Sequence, residues 1–150
     1  MSYRPIKENR DKKLVGSVVG LFISKDSVDE MSLDEGGVLG DKFYAKEKAR
    51  SVLISTIYSY KLAKDKDISL EYGELGENII LDYNPYHLDP NSKIQIGDSV
   101  ILEISQHCTL CKSLTKIDNR LPKLLKNDRG IFAKVISGGK IKNRDRVYIL

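Results

Sequence analysis

The chain has no tryptophan and, in 150 residues, only two cysteines, two histidines, two methionines and four prolines. Two cysteines three positions apart, Cys108 and Cys111, cannot staple a domain of this size. A disulfide framework is therefore excluded, and stability must come from a core, for which the chain is long enough. Only His87 and His107 remain to join the thiols, so a closed four-ligand zinc site would consume every histidine and cysteine present. Long apolar runs are also missing. The longest, Leu14 to Ile23, has ten residues, short of the roughly 20 that span a bilayer as a helix. Lys12 and Lys13 ahead of it imitate a signal peptide, but no A-x-A-like cleavage site follows and its Val, Ile and Gly content suits a strand. The expectation is one domain, without a membrane segment, in the reducing cytoplasm.

What is present is ordinary in amount and uneven in place. Apolar residues make up 41% and charged residues 31%, as in globular proteins. The net charge is +4, yet Lys112 to Arg146 alone carries eleven Lys or Arg against three Asp. That basic face suits an acidic protein or a phosphate ligand, or is simply solvated. No aromatic residue interleaves the basic run from Lys112 to Arg129, so nucleic acid is not an expected partner.

Residues 1–13 read as a polar arm and 14–150 as a single domain. Leu14 to Ser24 is the first strand, its near-continuous apolar character pointing to burial on both faces or to a closed sheet. Lys25 to Glu35 is mostly polar, and Gly36 to Asp41 reads as tight turns without a regular element. Ser51 to Ile54 is a short apolar run. Ser55 is a candidate N-cap for a helix over 56–64, with Ile57, Tyr60, Leu62 and Ala63 approximately on one face. Ile79 to Leu81 is strand-like. Lys93 to Ser105 reads as two strands about a Gly97-Asp98 turn. Pro122 interrupts the helical spacing of Leu110 to Lys126. Ile131 to Ser137 and Asp145 to Leu150 complete a mainly β chain, a barrel or sandwich with a few short helices.

Cys108-Thr109-Leu110-Cys111 follows a strand, where side chains can be displayed. The spacing permits a redox-active dithiol, although no repeated βαβ frame surrounds it. Alternatively, one or both thiols are small buried hydrophobes.

The order of several short motifs narrows this. Gly40-Asp41 follows a glycine turn, Gly76-Glu77-Asn78 precedes a strand, and Ile96-Gly97-Asp98 leads to Glu103-Ile104. Thr109-x-Cys111 comes next, then Arg129-Gly130 with Ala133 and Val135. Together these resemble the MOSC domain, the C-terminal domain of molybdenum cofactor sulfurase, which also occurs as short standalone proteins. The resemblance runs from about Leu14 to Leu150.

It implies a β-barrel-like fold, a molybdenum cofactor, and Cys111 as the reactive thiol, either ligating molybdenum or carrying sulfur as a persulfide. Cys108 stands where relatives usually have another residue. Some members reduce N-hydroxylated compounds, so a reductase or sulfur transferase is implied, served by a sulfur-donor or redox protein partner. A thiolate is both nucleophile and soft metal ligand, and Lys112 beside Cys111 favours it. On the same resemblance Gly76, Glu77, Asn78 and Asp41 belong to the cofactor-binding set. Asn78 would meet a pterin edge and Glu77 would orient a loop or a basic side chain, with turn closure and backbone capping as the alternative. Lys42 and Arg129 would hold the cofactor's phosphate. Two positions depart from the pattern: Phe43 stands where relatives often have histidine, and Arg144 where they often have glycine. Pyridoxal phosphate belongs to a fused desulfurase domain and is not expected in this chain. Two other readings stay open: a non-catalytic module docking through the basic face, and a Cys108/Cys111 dithiol.

Overall fold

A computed structural model describes residues 12–109 and 112–150. Most of the polar arm, Cys111 and the side chain of Lys112 lie outside the described residues. Among the described residues there are eleven strands: β1 Lys13–Ile23, β2 Asp26–Val28, β3 Glu30–Asp34, β4 Gly37–Val38, β5 Val52–Thr56, β6 Ile79–Leu81, β7 Lys93–Ile96, β8 Val100–His107, β9 Ile131–Ser137, β10 Gly139–Lys142 and β11 Arg146–Ile149. The helices are α1, Ile57–Asp65, and α2, Leu121–Leu124, with 3₁₀ turns at Lys48–Arg50 and Lys112–Lys116.

Seven strands close a barrel in the order β1-β6-β5-β9-β8-β7-β11, with β11 returning to pair with β1; β2 extends from β1, and β10-β3-β4 form a separate small sheet. Closure removes the sheet edges that a mainly β chain otherwise exposes. All barrel pairings are antiparallel except β5–β6. That parallel pair needs a crossover, which α1 supplies.

The continuous apolar runs reflect two cores. Val52, Ile54, Ile79 and Leu81 point into the barrel with Ile94, Leu102 and Val147. Ile80 points the other way, joining Phe22, Tyr60, Leu75, Leu114 and Leu121 beneath the helices. Leu53 makes a small third cluster with Cys108 and Phe132.

Two local expectations are corrected. The strand continues through Ser55, and the cap of α1 is Thr56, whose hydroxyl accepts from Tyr58 N. The stretch from Lys25 to Gly40 is also strand-bearing. In Glu30–Asp34, Met31 and Leu33 are buried at alternate positions, and Leu33 pairs with Val38 across the tight Glu35-Gly36 turn. Charged residues on the open face hide this two-residue period from a count of apolar ones. Pro122 sits in the first turn of α2, where its missing N–H costs nothing, so the helical stretch divides in two. At Gly16 a Cβ would lie 2.5 Å from Asp82 Oδ1. Its absence lets Asp82 accept from Ser17 N at 2.7 Å and Ser17 Oγ at 2.8 Å, joining β1 to the end of β6. Among the described residues no helix is long and apolar enough to cross a membrane.

Ile54 is fully buried between β6 and β9. Ile54→Ala should cost about 2–5 kcal/mol and Ile54→Val about 0.5–1.5 kcal/mol, read from urea midpoints at unchanged slope.

Candidate functional site

A cavity of about 380 Å³ opens where the end of β1, the 40–50 loop, β5, the 74–78 loop and the start of β9 converge. Its floor is Leu53, Cys108 and Phe132, and its wall includes Leu75, Gly76 and Asn78. Among the described residues five cations line it, Lys25, Lys42, Lys46, Arg50 and Arg129, against two acids, Glu47 and Glu74. A broader depression over α1, between Tyr58 and Tyr72, contains none of the expected site residues.

The Gly76-Glu77-Asn78 triplet sends consecutive side chains to different environments. Gly76 is left-handed at φ +80°, a conformation that suits glycine, with no heavy atom within 4 Å of where a Cβ would stand. Beyond it Glu77 and Asn78 face opposite ways: Glu77 is buried toward Ser55 and Tyr60, and Asn78 lines the cavity.

Asn78 lines the cavity, but its amide is committed within the protein. Its oxygen accepts from Leu53 N at 3.0 Å, and its nitrogen donates to Phe22 O at 3.2 Å and Asp41 Oδ1 at 3.1 Å. Both amide hydrogens are thereby used.

Glu77 is 1% exposed and does not line the cavity. Its Oε2 accepts from Ser55 Oγ at 2.7 Å and from the Tyr60 hydroxyl, while Oε1 is buried with no hydrogen-bond partner. Burial is the dominant influence and raises its pKa, with the hydrogen bonds and the charge of Arg129 opposing.

Asp41 also stands outside the lining. Its Oδ1 accepts from Ser24 N at 2.8 Å as well as from Asn78, and its Oδ2 accepts from Phe43 N at 3.1 Å. Ser24 Oγ in turn accepts from Lys42 N at 2.8 Å. Ser24 and Lys25 are both left-handed, φ 48° and 76°, which makes a tight two-residue hairpin between β1 and β2. The network thus clamps two turns together and sets Lys25 and Lys42 on one rim.

Arg129 is buried at 6% exposure and lines the cavity, with one guanidinium nitrogen donating to Leu75 O at 2.5 Å. Of the expected residues, the structure therefore brings Lys42, Gly76, Asn78 and Arg129 to the cavity and uses Asp41 and Glu77 behind it. Cys108 is buried on the floor, its N–H donating to Gly130 O at 2.9 Å. Ser113, beyond the residues not described, also lines the cavity. His87 hydrogen-bonds Tyr83 at 3.1 Å, away from it. Among the described residues no three His, Cys, Asp or Glu are grouped to hold a metal ion.

Lys25, Lys46, Arg50 and Phe132 were not singled out from sequence. The regular spacing of Lys42, Lys46 and Arg50 was the available signal.

The profile of the MOSC domain matches residues 41–148. The chain belongs to the MOSC domain family. Among solved structures, the YuaD protein of Bacillus subtilis superimposes with a TM-score of 0.80 at 18% identity, covering 93% of this chain and 97% of that one. YiiM of Escherichia coli gives 0.69 at 18% identity, over 92% of this chain and 70% of that one. YiiM of Geobacillus stearothermophilus gives 0.63 at 15% identity, over 93% and 75%. At such identities these are likenesses of fold. No curated protein matches the MOSC chain.

Two measurements check the wiring behind the cavity. Asn78→Asp sets a second carboxylate beside Asp41 Oδ1 and removes both amide donors. It should destabilise the protein by about 2–4 kcal/mol at neutral pH, less in acid, by urea unfolding. Glu77 has a folded pKa above its unfolded one, so its contribution is fully present below the unfolded value near 4.5 and is lost as pH rises through the folded one. The stability difference between wild type and Glu77→Gln should therefore move against wild type with rising pH, by at most about 1.4 kcal/mol per unit.

Proposed function

We propose that this MOSC protein binds the molybdenum cofactor in the cationic cavity, with Cys111 as the thiolate that ligates molybdenum or, in a sulfur-transfer role, carries a persulfide. The observation that carries the reading is the charge and make-up of the cavity. Among the described residues five cations face a space of about 380 Å³ floored by Leu53, Cys108 and Phe132, and Cys108 and Ser113, on either side of 110–111, both line it.

The donor set fits an anionic, planar group. Arg50 Nε is buried without a hydrogen-bond partner, its nearest carboxylate, Glu47, standing 3.8 Å away. Arg50 and Arg129 would hold a phosphate, with Lys25, Lys42 and Lys46 on the rim and Gly76 leaving room for a flat ring. When bound, the cofactor supplies a metal able to exchange electron pairs with a substrate. The chain's own residues bind and orient it: Asn78 and Asp41 hold the walls in register, and the apolar floor excludes water. A redox or sulfur-donor protein would complete the cycle, and the exposed lysines around the mouth suit an acidic one.

Protein expressed in cells that make the cofactor should contain molybdenum and pterin on freshly purified material. Cys111→Ser should lose the metal or the persulfide, and Cys108→Ser should keep it. Equal retention by the two variants would refute the assignment. An absorbance scan should show no internal aldimine of pyridoxal phosphate.

A further inference from the structure

The helix side of the barrel carries a second opening, which the cofactor reading does not use. This groove over α1 has a volume of about 760 Å³ and shares no lining residue with the cationic cavity. One wall is a stripe of the helix from end to end, Ile57, Tyr58, Lys61, Lys64 and Asp65, and the rest of the apolar lining comes from Ile68, Leu70 and Tyr72. Nine helical residues rise about 13 Å, so the groove is long for its width.

Its floor is firm and its apolar surface is open. Tyr60 is 6% exposed, and its hydroxyl donates to Glu77 Oε2 and accepts from Gly73 N at 3.2 Å, while the Tyr72 ring meets it edge-on with centroids 4.8 Å apart. Ile57 and Leu70 are only partly covered by the core beneath the helices, and Tyr58 and Tyr72, 45% and 48% exposed, join no core cluster. A pre-formed, mainly apolar hollow with a few polar groups has the make-up of a small-molecule site.

The charges narrow the class of ligand. Lys61 and Lys64 stand one turn apart on the helix wall, and among the described residues neither is in an ion pair, Asp65 on the same wall included. A compact ring would fill part of the length, and a sugar would set its hydroxyls against apolar side chains. An unbranched chain ending in one acid covers the length and meets both cations.

We infer that this groove binds a fatty carboxylate, its acyl chain lying along α1 against Ile57, Ile68, Leu70 and Tyr72 and its carboxylate at Lys61 and Lys64.

Isothermal titration with decanoate, kept below its micellar concentration, tests the site. Octanoate should bind about tenfold more weakly, since two fewer CH₂ groups leave water. Decylammonium, with the same chain and the opposite charge, should also bind about tenfold more weakly. Replacing both exposed lysines, Lys61→Gln with Lys64→Gln, should erase the preference for decanoate over decylammonium, and Leu70→Ser should shrink the gain from octanoate to decanoate. Lys42→Gln, at the rim of the other cavity, should leave decanoate binding unchanged. No binding of decanoate, or equal binding of the two head groups by the wild type, would overturn the inference. So would binding that is lost in Lys42→Gln and kept in the double lysine variant, which would place the acid in the cationic cavity. Attachment to phosphatidylglycerol vesicles without uptake of monomeric decanoate would assign this face to a membrane surface and overturn it too.

Discussion

The site depends on the side chain of Asn78. One amide joins β5 through Leu53, the end of β1 through the Phe22 carbonyl, and the 40–46 loop through Asp41. Each such bond contributes only about 1 kcal/mol net, but a buried polar group left without its partner costs about 1–3 kcal/mol. The three segments are therefore held together less by attraction than by the penalty for separating them. Because the segments are the walls of the cavity, its shape follows from this node. Asn78 contributes position, and the groups left to meet a ligand are the cations and rings that the node sets in place.

Asp41 extends the node to a strained corner. Two consecutive left-handed residues, neither of them glycine, form the hairpin at Ser24-Lys25. Such backbone states cost of order 1–3 kcal/mol each and persist where the surroundings enforce them. Asp41 does so by accepting the Ser24 N–H, and Ser24 Oγ accepts from Lys42 N. Asn-Gly would form this turn with less strain, but it would not place a lysine at the cavity rim. Local conformational cost is here exchanged for charge at a chosen place.

The strands of the barrel were legible because their apolar residues are dense: Leu14 to Ile23, Ile79 to Leu81 and Ile131 to Ser137 announce themselves, and the order of short motifs pointed to the family. The small sheet of β3, β4 and β10 was not legible, since Met31 and Leu33 alternate with charged and hydroxyl residues and their partners come from Val38 and, a hundred residues on, Ile141. Nor was the cap of α1, because Ser55 and Thr56 are both good caps and only the pairing of Ser55 with Glu77 decides which is free to serve. For the site, the motif residues were found but not their division. That Asn78 faces the cavity and Glu77 faces the helices is fixed by Leu53 and Asp41 on one side and by Ser55 and Tyr60 on the other, partners distant in sequence that only the folded chain brings to them.

That division has an electrostatic consequence. Glu77 is buried on the helix side, yet it feels the charge of Arg129, which lines the cavity. The coupling is reciprocal: an ionised Glu77 would draw down the positive potential that Arg129 lends to the cavity, and a neutral one leaves it intact. Burial favours the neutral form, the Ser55 and Tyr60 hydrogen bonds favour the charged form, and burial is the larger influence. The helices packed over β5 and β6 therefore do more than cover the barrel. By keeping water from Glu77, the apolar cluster of Phe22, Leu75, Ile80 and Leu114 raises its pKa and so acts against the negative charge that would oppose Arg129.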